Sequence, residues 1–124
     1  MQVAEKMVNK RTKGVIINFS SVSAMGNAGQ IAYSSAKAGI ETMTRVIAKE
    51  LGVFKIRAVA VAPGFIDVPS TRNAMTEGVI DKWIKQTPLN KLGTIEDIIE
   101  TVKYIIACDH ITGCTINVDG GLTL

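Results

Sequence analysis

The chain is poor in the residues that usually announce a metal or redox centre. Its 124 residues include two cysteines and one histidine. Cys108 and Cys114 stand six apart, a spacing that fits neither zinc nor dithiol redox motifs. They read as buried free thiols rather than a disulfide. His110, alone before a turn, reads as structural, so no metal site is expected. No apolar run approaches the ~18 residues of a membrane helix. The segment from Met1 to Lys13 is too charged for the apolar part of a secretory signal, so a cytoplasmic protein without a membrane association is expected. The net charge of +3 is too small to argue for a nucleic-acid partner. Internal repeats, low-complexity tracts and linkers are absent too.

What is present is apolar. Hydrophobic residues make up 47% of the chain, and the mean hydropathy is +0.25. One domain with a sizeable core follows, and disorder is excluded. Residues 1 to about 10 read as the end of a helix. Val15-Ile16-Ile17-Asn18-Phe19 is a β-branched run that suits a strand covered on both faces. Ser21 to Gln30 is a glycine-bearing loop. From Ile31 to about Leu51, Ala36, Ile40, Met43, Ile47 and Leu51 recur at helical spacing, with Gly52 as the C-terminal cap. Ile56 to Ala62 is a second buried strand, stopped by Pro63-Gly64. A loop and a short helix occupy 72–86. Thr94-Ile95-Glu96-Asp97 resembles a capping box that opens a helix to about Ala107, and Thr115–Val118 is a third strand.

Strands alternating with helical crossovers of this length imply an α/β fold with three parallel strands. Three strands are few for an open sheet, and the first would keep an unpaired edge. The expectation is the back of a larger α/β domain, since the chain opens on the last turns of a helix.

Tyr33-Ser34-Ser35-Ala36-Lys37 carries the chemistry. A tyrosine and a lysine four apart share one helix face. A phenol is a weak acid, with a reference pKa near ~10, and a fixed ammonium beside it favours the phenolate. Such a pair passes a proton to a substrate oxygen within hydrogen-bond reach. A serine at the end of the neighbouring strand, Ser20 or Ser21, is placed to hold that oxygen.

Four motifs in order carry a resemblance: Ile17-Asn-Phe-Ser-Ser21; Tyr33-x-x-x-Lys37 with Ala38-Gly39; Arg57-Ala-Val-Ala-Val-Ala-Pro63-Gly64; and Ile111-Thr-Gly113 with Asn117-Val-Asp-Gly-Gly121. Together they resemble the short-chain dehydrogenase/reductase family over essentially the whole chain. Met25-Gly-Asn-Ala-Gly-Gln30 and Pro63-Gly-Phe-Ile66 look most like the 3-oxoacyl-[acyl-carrier-protein] reductases of that family. The resemblance implies the C-terminal part of a doubly wound, Rossmann-like α/β domain, with residues 1–124 as its catalytic half and the dinucleotide-binding half absent. It implies an enzyme that reduces a carbonyl, a 3-oxoacyl thioester above all, with NADP or NAD. Tyr33 would be the proton donor, and Lys37 would hold the ribose hydroxyls of the cofactor. Ser21 would bind the substrate oxygen, and Pro63, Gly64 and Ile66 would lie against the nicotinamide. Ser21 precedes Tyr33 by one residue fewer than is common in the family, so Ser20 is the other candidate. Val68 stands where a threonine often touches the cofactor. The family's glycine-rich phosphate loop would precede Met1, and Gly26-x-x-Gly29 cannot replace it.

Plainer readings stand beside these. Tyr33 and Lys37 alone would suit a half-buried tyrosine with a snorkelling lysine. Ser21 would serve as a cap, and Gln30 as either a turn residue or part of the substrate mouth. Trp83, with Ile80 and Ile84, suits core or substrate cleft equally. Lys6, Lys10, Arg11 and Lys13 are a solvated face or a dock for an acidic carrier protein bearing the acyl group. The helix 31–51 is apolar over a wide arc, and the resemblance implies a homotetramer built partly on it. The alternative to a reductase is a truncated, non-catalytic subunit that keeps the oligomerising helices.

Overall fold

A computed structural model of the chain describes residues 2–122 and 124. Its elements are helix α1 (Gln2–Asn9), strand β1 (Gly14–Phe19), helix α2 (Ile31–Leu51), strand β2 (Ile56–Pro63), helices α3 (Pro69–Ala74), α4 (Glu77–Gln86) and α5 (Ile95–Ala107), and strand β3 (Cys114–Val118). The strands form one parallel sheet in the order β1-β2-β3, as expected of a Rossmann-like α/β domain. Gly14 stands opposite Ile56, and Val59 opposite Cys114.

The core sits on β2. Ile56 and Ala58 to Ala62 are each no more than 2% exposed. Successive strand residues face opposite sides. Val59 and Val61 pack with Ile105 of α5, ringed by Val15, Ile17, Ile116 and Val118. The opposite face is therefore Ala58, Ala60 and Ala62. Asn18, in register with Ala60, donates to Thr44 Oγ1 at 2.9 Å, which puts α2 on this side. A strip of alanines lets the helix lie close to the sheet.

That closeness decides which side chains of α2 are buried. The buried residues of α2 are Ser34, Thr44 and Ala48, while Met43 and Val46 point outward, 47% and 44% exposed. Small side chains fit against the alanine strip, and the larger ones turn away from it. The strand buried along nearly its whole length is β2. The edge strand β1 is only half-buried, and Phe19 is exposed.

Local chemistry sets the boundaries. Gly52 does not adopt the left-handed cap conformation. The chain continues from it as a 3₁₀ turn, Gly52–Phe54, and the left-handed residue is Lys55, with φ 61°. The region 72–86 holds the end of one helix and the whole of a second, divided after Ala74. Before α5 the capping box forms in full. Thr94 Oγ1 accepts from the Asp97 amide, and Asp97 Oδ2 accepts from the Thr94 amide at 2.8 Å. The far end of α5 is held by Arg57, whose guanidinium donates to the carbonyls of Ile105, Ile106 and Ile111. Among the described residues, no helix is long and apolar enough to cross a membrane.

Candidate active site

The site lies where the chain leaves β1 and β2 at their carboxyl ends. The Ser20 amide extends the ladder by donating to Val61 O at 2.7 Å. From there the two serines diverge. Ser20 is 4% exposed, and its hydroxyl proton is shared between Glu41 Oε1 at 2.9 Å and the Lys37 carbonyl at 3.2 Å. Ser21 turns the other way. It caps the 3₁₀ turn Val22–Met25, with its Oγ accepting from the Ser23 amide at 3.1 Å. That bond uses a lone pair and leaves the Ser21 hydroxyl proton to donate elsewhere.

Helix α2 brings up the other groups. Tyr33 is 48% exposed in its first turn. Lys37, one turn on, stands with Nζ 5.5 Å from the Tyr33 ring centre and donates to Phe19 O at 2.9 Å. Four hydrogen bonds fasten this helix to β1 and the residue after it: Asn18 to Thr44, Lys37 to Phe19, and Ser20 to both Glu41 and the Lys37 carbonyl. Ser21, Gln30, Tyr33 and Gly64 line one cavity of about 280 Å³, closed on its far side by Ser70 and Thr71 of α3. Ser20 and Lys37 stand behind it. Pro63 pairs with Val118 at the end of β2, and Ile66 bridges to Gly93, so neither lines the cavity.

Two positions have reasons of their own. A Cβ on Gly64 would stand 2.8 Å from the Asp119 Cα, so the close approach of the β2 and β3 ends demands glycine there whatever its other role. Gln30 Oε1 accepts from Ser23 Oγ at 3.2 Å and from Asn27 Nδ2 at 3.1 Å. With its oxygen held twice, the Gln30 amide keeps its two N–H donors for other partners.

Sequence reasoning missed the wall that faces these groups. Phe65, Ser70, Thr71, Ala74 and Met75 complete the cavity, but α3 has six residues, too few to show a period. Asp67 and Arg72 clamp its start with paired bonds of 2.6 and 2.8 Å. The Arg72 hydrogen bonds hold the Asp67 carboxyl below its ordinary range. Val68 precedes the helix with no side-chain cap bond. Ile80 is buried, whereas Trp83 stacks on Phe65 with ring centres 4.5 Å apart. Among the described residues, no three His, Cys, Asp or Glu side chains gather as a metal site.

This architecture is a parallel α/β sheet with a serine, a tyrosine and a lysine gathered at the carboxyl ends of its strands. A family model described as Enoyl-(Acyl carrier protein) reductase matches residues 1–123. The chain belongs to the short-chain dehydrogenase/reductase family. It is 43% identical over 118 residues to the 3-oxoacyl-[acyl-carrier-protein] reductase FabG of Pseudomonas aeruginosa, covering 93% of this chain and 47% of that one. It is 40% identical over 122 residues to the (3R)-3-hydroxyacyl-CoA dehydrogenase of Canis lupus familiaris, covering 96% and 47%. Among solved structures, a 4-hydroxyisoleucine dehydrogenase complexed with NADH superposes with a TM-score of 0.91 at 27% identity, over 97% of this chain and 51% of that one. A 3-oxoacyl-[acyl-carrier protein] reductase from Brucella melitensis does so with a TM-score of 0.85 at 32% identity, over 97% and 46%. The chain thus spans about half the length of the curated relatives it matches.

Proposed function

We propose that this chain is the catalytic and substrate-binding half of a cytoplasmic NAD(P)-dependent oxidoreductase that reduces a carbonyl, a 3-oxoacyl thioester in particular, to a hydroxyl. The observation that carries the reading is the meeting of the Ser21 hydroxyl and the Tyr33 phenol on one cavity, with the Lys37 ammonium one helical turn behind.

The residues fit the nicotinamide end of such a cofactor. Open α/β sheets take ligands beyond the carboxyl ends of their strands, and here those ends present Ser21 and Gly64 to the cavity. Lys37 gives one N–H to Phe19 O and keeps two that would hold the ribose hydroxyls of the cofactor. Gly64 would supply backbone beside the ring, and Pro63 and Ile66, outside the cavity lining, would hold that backbone in place from either side. When bound, the nicotinamide supplies the hydride.

The chain's own work is on the oxygen. Tyr33 gives its phenolic proton as negative charge develops there, and Ser21 donates to the same atom. The Lys37 ammonium stands beside the phenolate that remains. Gln30, its oxygen already held, offers N–H donors to a second carbonyl, which favours a substrate with two carbonyls such as a 3-oxoacyl thioester. The outward Met43 and Val46 of α2, with α1, which buries no residue within the chain, and the edge of β3, support association into a homotetramer.

The test is Tyr33→Phe in the full-length protein, following nicotinamide oxidation with an acetoacetyl thioester. Loss of a general acid lowers kcat by roughly 10²–10⁴. Activity within a few-fold of the parent would remove Tyr33 from the mechanism.

A further inference from the structure

Glu41 takes no part in the chemistry described so far, yet it is bonded to a buried serine just behind the site. Tyr33, Lys37 and Glu41 follow one another at four-residue intervals along α2, one turn apart on one face. Ser20, 4% exposed, gives its one hydroxyl proton to Glu41 Oε1 at 2.9 Å and to the Lys37 carbonyl at 3.2 Å. The Ser20 amide is itself fixed to Val61 O of the central strand at 2.7 Å. One short, rigid residue therefore joins the Glu41 carboxylate to the sheet.

The four hydrogen bonds between α2 and the end of β1 do not hold the helix equally. The Asn18–Thr44 bond lies farthest from Tyr33, eleven residues along the helix, or about 16 Å at the rise of an α-helix. The bond from Lys37 Nζ to Phe19 O runs through a long flexible stem, so it fixes the ammonium rather than the helix axis. The Lys37 carbonyl shares the Ser20 proton with a carboxylate, which is the stronger acceptor. The first turn has no side-chain N-cap, and Ser34 Oγ accepts there from Asn27 in the preceding loop, not from the sheet. The Ser20–Glu41 bond is thus the firm tie nearest Tyr33. Without it, α2 is free to tilt about Asn18–Thr44, and about 4° of tilt moves Tyr33 by about 1 Å. A misplacement of about 1 Å can cost on the order of 10²-fold in rate.

We propose that Glu41 is a positioning residue, which acts through Ser20 to set the tilt of α2 and so places the Tyr33 phenol against the substrate oxygen. The inference rests on the reductase reading above. It gives Glu41 no contact with substrate or cofactor, and it requires an acceptor at this position rather than a charge.

The test compares Glu41→Gln and Glu41→Ala in the full-length protein, following nicotinamide oxidation with an acetoacetyl thioester. Glutamine and alanine are both good helix formers, so α2 is retained. Glutamine keeps an oxygen that accepts from Ser20 and should leave kcat within about twofold of the parent. Alanine should lower kcat about tenfold with both KM values nearly unchanged. That is less than the roughly 10²–10³ expected on losing a donor to the developing oxyanion. On a Ser20→Ala background, Glu41→Ala should lower kcat no further. A parental kcat for Glu41→Ala, a Glu41→Gln protein as slow as Glu41→Ala, or a loss confined to KM overturns the proposal.

Backbone amide resonances of the 124-residue chain separate this failure from failure of the function. Glu41→Ala should shift the amides of Tyr33 and Ser34, about two turns from the substitution, and Glu41→Gln should leave them in place. If the full-length parent reduces no carbonyl, the reductase reading falls, and these shifts alone decide whether Glu41 places Tyr33. Shifts confined to the turn around Glu41 refute it.

Discussion

Replacing glycine by alanine should have opposite effects at two positions of this chain. Gly39 lies in the interior of α2, exposed, with nothing within 4 Å of an added Cβ. Alanine there gains about 0.8–1 kcal/mol of helix propensity. At Gly64 the added carbon would meet the Asp119 Cα at 2.8 Å and its Cβ at 3.0 Å. Neither side can yield cheaply. The Gly64 amide donates to Val118 O at 3.0 Å, and Asp119 Oδ1 accepts from the Gly121 amide at 2.9 Å. Overpacking of this kind costs about 1–3 kcal/mol. For 124 residues the unfolding entropy is about 0.26 kcal/mol/K, so each kcal/mol moves Tm by about 4 °C. Gly39→Ala should raise Tm by about 4 °C, and Gly64→Ala should lower it by about 4–12 °C. Gly93→Ala belongs between them, because its 2.6 Å clash is with the terminal methyl of Ile66, which can rotate. Reversible melts followed by far-ultraviolet circular dichroism measure all three. A Gly64→Ala protein that melts with its parent would refute the tight meeting of the β2 and β3 ends.

Further outcomes follow from other contacts. Ser21→Ala in the full-length protein should lower kcat with little effect on folding, whereas Ser20→Ala should lower stability by freeing Glu41; equal kinetic effects would undo the assignment. The Asp97 carboxyl is held below its ordinary range by the Thr94 amide and then its hydroxyl, so its contribution is complete above the unfolded value of about 3.9 and disappears as pH falls through the folded one. The stability gap between parent and Asp97→Asn, read from urea midpoints, should therefore be constant at neutral pH and close in acid; a gap that widens in acid contradicts the cap. Calorimetric titration of the chain with NADH and NADPH should detect no binding, since its sequence has no glycine-rich turn opening a helix; low-micromolar binding would contradict this. Met43→Glu should lower the oligomeric state of the full-length protein in light scattering, and a parent already monomeric at micromolar concentration would refute the assembly.

The strands and main helices could be read from the sequence because their signals are local. β-Branched runs stop at Pro63-Gly64, and Thr94 and Asp97 open α5 by the capping that their spacing suggests. Tyr33 and Lys37 followed from helical geometry, and the structure brings Tyr33 to the cavity with Ser21, Gln30 and Gly64. The orientation of α2 was not legible. Periodicity puts apolar residues on more than one side of it, Ala36, Ile40, Met43 and Ile47 among them, and the face that packs is decided by the alanines of β2, which lie outside the helix in sequence. The same holds for the two serines. They are chemically identical neighbours, and only the placement of Glu41 across the helix turns Ser20 inward. The α3 wall had no periodic signal because six residues make fewer than two turns.

The unequal fastening of the cavity walls has a consequence for how such a protein changes over time. One wall is riveted: Asn18, Phe19 and Ser20 each hold α2 by a hydrogen bond of 2.9 Å, so the helix cannot slip by a turn without breaking all three. The opposite wall hangs from the Phe65–Trp83 stack, the Asp67–Arg72 clamp and the Ile66–Gly93 bridge, and its side chains are mostly exposed. Substitutions can accumulate on the second wall without disturbing the first. The groups of the first wall are fixed by its hydrogen bonds, and the residues that meet the rest of a ligand are free to change. Variants with altered substrate range should therefore be sought between Asp67 and Gln86, where sequence can be exchanged while Tyr33 and Lys37 stay where they are.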